Sequence, residues 1–160
     1  MSSETVETPN VGVLTRTPRH FVGAVATVFG GPWFGYLART ALTFTFWSCG
    51  LARLFDFDGG LAEMHHFGLV SEILFHFATV VTLLVGSALV ILDRWSWVGA
   101  GALAAFTIPI VPITHGFWVM QEPLKTIEFH VVLEHITVVG GLVVAIYASE
   151  LGASRKRQIA

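Results

Sequence analysis

From Ser71 to Leu92 the chain reads SEILFHFATVVTLLVGSALVIL, with Glu72 and His76 its only ionisable side chains. A stretch of this length and character constrains the fold more than any other feature. About 20 apolar residues in a helix cover a hydrocarbon core of ~30 Å, and only a helix satisfies its own backbone there. Three more segments share the property: roughly Trp33 to Leu54, with Arg39 near its start; roughly Trp95 to Trp118; and Lys125 to Tyr147. Pro109 and Pro112 lie inside the third and are expected to kink it and free backbone carbonyls. Composition agrees: 54% of the 160 residues are hydrophobic and 12% charged, where a soluble domain carries about a quarter charged.

The pattern predicts an all-α integral membrane four-helix bundle. Lys and Arg gather on one side (Arg16, Arg19, Arg39, Arg94, Arg155, Lys156, Arg157), leaving Arg53 and Lys125 for the other. The positive-inside rule then places both termini in the cytoplasm. Residues 1–32 read as a cytoplasmic tail with a short interfacial apolar segment, 33–148 as the four-helix domain and 149–160 as a basic cytoplasmic tail. The first twenty residues lack the layout of a cleaved signal. Nothing resembles the basic stripe of a nucleic-acid binder, and Cys49, being alone, forms no internal disulfide or redox pair. Small residues that let helices approach closely occur at Gly86, Ala88, Gly99 to Ala105, Gly140, Gly141 and Ala145.

On this topology the unusual residues fall at the outward ends of the spans. Arg53, Asp56, Asp58, Glu63, His65 and His66 lie in the first external connection, and Glu72 and His76 enter the second helix. His115 ends the third, and Glu128, His130, Glu134 and His135 begin the fourth. At 1.5 Å per residue His76 stands about 8 Å, and His135 about 13 Å, below the start of its helix. Groups at such depths must face the bundle or a wet cavity. Glu72 with His76, and His130 with Glu134, are i,i+4 neighbours, while Glu128 and His135 share a second face. The two faces of the fourth helix are expected to bring His76 and His115 toward one outward-facing pocket.

Several chemistries suit such a set. His76, His115, His130 and His135 offer metal ligands, with Glu72 and Glu134 to orient them, and Arg53 sets the charge at the pocket mouth. Two facing histidines suit a haem. A quinone is a third candidate, its carbonyls accepting from His76 or His135 while Phe75, Phe77, Phe117 and Trp118 pack on the ring. The plain alternative is that these are hydrogen-bonded pairs that dock helices. For His65 and His66 the reading is solvated side chains on an amphipathic surface stretch. Asp56 and Asp58 are read as caps of that stretch or partners of Arg53.

The segment SCGLARLFDFDGGLAEMHHFGL, with Gly50, Arg53 and Gly68, together with VVLEHITVVGGLVV, with Gly140 and Gly141, resembles the DoxX family of small four-helix bacterial membrane proteins over Gly35 to Ala148. The chain departs from the family pattern at His76, where many members carry a carboxylate, and at Glu134-His135, where many carry Lys-Asn. The resemblance implies a multi-pass protein of the bacterial inner membrane, associated with redox systems. The expectation is therefore a small membrane subunit of a redox or metal-handling assembly. Its histidine/glutamate pocket at the outer leaflet would bind a metal ion, haem or quinone, and its partners would be the lipid bilayer, other membrane or redox subunits, or further copies of itself. A structural subunit with no cofactor of its own is the alternative. A permease component is less favoured, because the inner halves of the spans carry few polar side chains.

Overall fold

The structure, a computed structural model, describes residue 23 and residues 26–159, so the expected N-terminal tail with Arg16, Arg19 and His20 lies outside the described residues. The chain divides into two compact units, the first ending at Gly35 and the second running from Tyr36. In the first, residues 26–29 are helical, and Phe29 packs edge-on against Phe34 with ring centroids 4.6 Å apart.

Helix α1 spans Pro32–Leu42 and opens on a proline, whose missing N–H costs nothing at that position. Helix α2, Phe44–Phe55, follows after the single residue Thr43. The Thr43 hydroxyl donates to Arg39 O at 2.8 Å, to which the Thr43 N–H also donates at 3.0 Å. The same back-bond sits inside unbroken helices at Thr107 and Thr137, so it accompanies the break at Thr43 and does not by itself cause it. The first of the four expected spans is therefore two helices of 11 and 12 residues.

Helix α3 is Phe57–His66, α4 Glu72–Ile91, α5 Ser96–Thr114 and α6 Leu124–Ile159, with a 3-10 turn at Phe117–Val119. Asp56 caps α3, its carboxylate accepting from Gly59 N–H at 3.0 Å. This fulfils the capping expectation, while Arg53 takes a different partner. Helix α5 continues through Pro109 and Pro112 to Thr114. The basic segment expected as a tail is helical and continuous with α6, whose 36 residues reach about 54 Å. Among the described residues three segments are long and apolar enough to cross a membrane: Glu72–Ile91, Ser96–Val119 and Leu124–Arg155.

Small residues set the packing. A Cβ on Gly99 would stand 2.6 Å from Gly86 O, so α4 and α5 touch backbone to backbone there. Gly50 admits the Leu84 side chain to α2, and Gly141 admits Leu42 to α6. Around these contacts Phe46, Leu83, Val90, Ala100, Leu103 and Leu142 form the buried cluster. Outside it, Leu74, Val81, Val85, Trp97, Ile108 and Val144 are exposed, far more apolar surface than a water-soluble monomer presents. With lipid on that surface there is no hydrophobic drive between helices, and close van der Waals contact at the glycines takes its place.

At the other end of α4 the turn into α5 holds Asp93 and Trp95 at φ 54° each. The Asp93 carboxylate receives Arg39 at 2.9 Å and the Ser149 hydroxyl at 2.6 Å, joining α1, the α4–α5 turn and α6.

Candidate functional site

Of the histidines and carboxylates expected at the outward ends of the spans, those that find one another do so in local pairs, and no shared pocket gathers them. In the first group, the α2–α3 corner brings Arg53 to within 2.7 Å of Glu63, while Arg53 Nε is buried without a partner. Glu72 at the start of α4 pairs with His65 Nδ1 at 2.6 Å. The expected Glu72–His76 pair does not form. Helix α3 folds back over the first turn of α4 and offers His65 where the helix spacing had offered His76.

His76 is turned inward and 1% exposed, its Nδ1 without a hydrogen-bond partner. Phe57 packs edge-on to its ring at 4.9 Å, and Gly60 lies directly against it. Only a residue without a Cβ fits at position 60, because a methyl there would overlap the imidazole. Val70, Ser71, Glu72, Ile73, Leu74 and Phe77 line an open cavity of about 650 Å³ beside this group.

The second group joins the end of α5 to the start of α6. His115, the residue at which α5 stops, places Nδ1 2.6 Å from Glu128. His135, two turns further along the Glu128 face of α6, lies with its ring centroid 5.1 Å from that of His115, tilted by 43°. The shared face expected for Glu128 and His135 is thus present, and it meets His115 but not His76. His135 Nδ1 donates to Val131 O at 2.7 Å. Phe117 and Phe129, 5.4 Å apart, pack beside this end of the helix pair.

His130 and Glu134 do not pair either. His130 Nδ1 donates to Thr126 O at 2.6 Å, and both side chains lie on the exposed side of α6. Among the described residues no group of three or more His, Cys, Asp or Glu is placed to hold a metal ion, so the four-histidine ligand set is not assembled within the chain.

Hydrogen-bond partners fix the chemistry of the His115–His135 pair. A carbonyl can only accept, so His135 carries its proton on Nδ1, and a carboxylate imposes the same on His115. In the neutral rings both Nε2 atoms are then lone-pair donors. This is the orientation in which histidines ligate metals, with the outer ring nitrogen held by a carboxylate or carbonyl. It also revises the quinone expectation: neutral His135 has no N–H left to give a quinone carbonyl, and a reduced quinone's hydroxyl is the form it can receive.

Sequence reasoning placed Glu63 and His65 in the first external connection without assigning either a partner, and gave Gly60 no role. The only signal for Gly60 was the Gly-Gly pair after Asp58, and the pairings across the α3–α4 turn depend on its course, which no local spacing encodes.

A DoxX family model matches residues 35–116, just over half of the chain. The match runs from α1 to the end of α5 and leaves α6, with Glu128 and His135, outside it. Neither a curated protein nor a solved structure matches the chain.

Proposed function

This chain belongs to the DoxX family of small membrane proteins, and on that premise we propose that it is a subunit of a membrane redox assembly whose working end is His115, Glu128 and His135. The observation that carries the reading is the pair of adjacent imidazoles whose Nδ1 atoms are both engaged, leaving both Nε2 lone pairs available. Such a pair receives an electron-pair acceptor or an O–H donor: a transition-metal ion, or the hydroxyl of a reduced quinone. In either case Glu128 holds the His115 ring in place through Nδ1. For a metal, the remaining ligands would come from the bound species or a partner subunit.

In this reading α1 and α2 together make the first of four crossings, both termini are cytoplasmic, and the His115–His135 end opens outward in a bacterial inner membrane. A second reading, a structural subunit without a cofactor, draws on the one-to-one character of Arg53–Glu63, His65–Glu72 and His115–Glu128, since such pairs dock helices without any ligand.

The test is metal analysis, an absorption spectrum and quinone extraction on protein purified in mild detergent from its own host, beside His115→Ala/His135→Ala. Stoichiometric metal or quinone that is lost in the variant supports the redox subunit. A preparation that carries neither, together with a variant that fails to assemble with its partner chains, supports the structural one.

A further inference from the structure

Helix α6 carries two different faces. Leu142 is fully buried and Glu128, His135 and Ile146 half-buried on the side that meets the bundle. At ~100° per residue, His130, Glu134, Thr137, Gly140 and Val144 are turned roughly 100° or more away from that side, and all five are exposed. Within the chain α6 is the least covered of the three long apolar segments, with 6% of its most apolar stretch buried against 39% for Glu72–Ile91.

Lipid suits most of that surface but not all of it. Glu134 lies ten residues into α6, about 15 Å along the helix, and it has no hydrogen-bond or ion-pair partner among the described residues. A carboxyl facing hydrocarbon at such a depth is costly and calls for a polar partner. One turn earlier on the same face stands His130, whose Nδ1 donates to Thr126 O and whose Nε2 is left for another group. Toward the inner end, a Cβ on Gly140 would meet nothing within 4 Å, so a second backbone has room to approach.

We propose that this face of α6 is the contact surface for a second copy of the chain, in which His130 of one copy shares a proton with the Glu134 carboxyl of the other. An acid and a base one turn apart on one face are self-complementary, so a two-fold axis satisfies both at once. The shared proton leaves the pair neutral overall or as mutually compensating charges, either of which removes the isolated carboxylate from lipid. Gly140 would let the helices close as Gly86 and Gly99 do inside the chain. A foreign helix bearing a cation would serve Glu134 but has no need of His130. The proposal uses none of His115, Glu128 or His135 and stands apart from the functional reading above.

The experiment uses the full chain with Cys49→Ser, reconstituted in phosphatidylcholine vesicles and oxidised to cross-link single cysteines. Thr137→Cys is expected to give disulfide-linked dimers and Val143→Cys, also exposed but turned about 120° around the helix, none. Energy transfer between labelled copies at varied dilution in lipid should show self-association weakened about ten- to hundredfold by Glu134→Leu and by His130→Leu, the size expected for the two symmetric interhelix hydrogen bonds that either substitution removes from the dimer. The double variant should be no weaker than either single one. Equal cross-linking at both cysteines, monomers at every dilution, cross-linking to a different protein alone in host membranes, or unchanged association in both single variants would each overturn the proposal.

Discussion

Arg39 on α1 reaches Asp93, in the turn between α4 and α5, with its guanidinium nitrogen 2.9 Å from the carboxylate oxygen. Asp93 holds this position in a left-handed conformation, φ 54°, which aspartate tolerates better than most residues. Its second oxygen accepts from Ser149 on α6. One side chain thus fastens α1 and α6 to the α4–α5 turn at one end of the bundle. Both partners are part-exposed, so the ion pair alone is modest, and the hydrogen bond and backbone preference add to it. Asp93→Ala is expected to cost about 1–3 kcal/mol, and Asp93→Asn less, because asparagine keeps the left-handed preference and can still accept from Ser149. Thermal unfolding in detergent reads the order; equal losses for the two variants would refute it.

Gly60 of α3 lies directly against the His76 ring of α4. Gly60→Ala forces a methyl into the imidazole and should destabilise by about 1–3 kcal/mol, the usual cost of overpacking. His76→Ala removes the obstacle, so the double variant should recover most of what Gly60→Ala loses. Additive losses in a double-mutant cycle would show that the two residues do not meet.

Whether α1 and α2 act as one crossing can be read from sidedness. In a Cys49→Ser background, Ser3→Cys and Ser154→Cys should be labelled by an impermeant reagent from the cytoplasmic side only, and Ala62→Cys from the outside only. The segments Glu72–Ile91, Ser96–Val119 and Leu124–Arg155 already place 62 and 154 on opposite sides if each crosses once. Labelling of Ser3→Cys from the same side as Ala62→Cys would mean that the α1–α2 pair does not cross.

Glu128 acts on any ligand through His115. Glu128→Leu frees the imidazole to turn and to change tautomer, which should weaken binding of Zn(II) or Cu(II) at the His115–His135 pair by about 10- to 100-fold. Glu128→Gln keeps an acceptor for Nδ1 and should lose far less. Identical affinities for the two variants in equilibrium dialysis would remove Glu128 from the site.

The sequence by itself determined that this chain is a set of apolar helices for a membrane, because the length of hydrocarbon to be crossed and the need to satisfy the backbone act on composition alone. It also marked close approach at Gly86, Gly99 and Gly141, the cap at Asp56 and the common face of Glu128 and His135, since all of these follow from local spacing. The tertiary structure decided which acid met which base. His65 displaced His76 as the partner of Glu72 because α3 folds back on α4, and His76, left without an acid, turned into the packing beside Gly60. His115 found Glu128 because α5 stops where α6 begins its second turn. The interruption at Thr43 falls inside a continuous apolar run, and apolar patterning does not register it. Periodicity fixes what lies on one face of a helix, but a pairing between helices depends on turns and crossing points, which many residues set together.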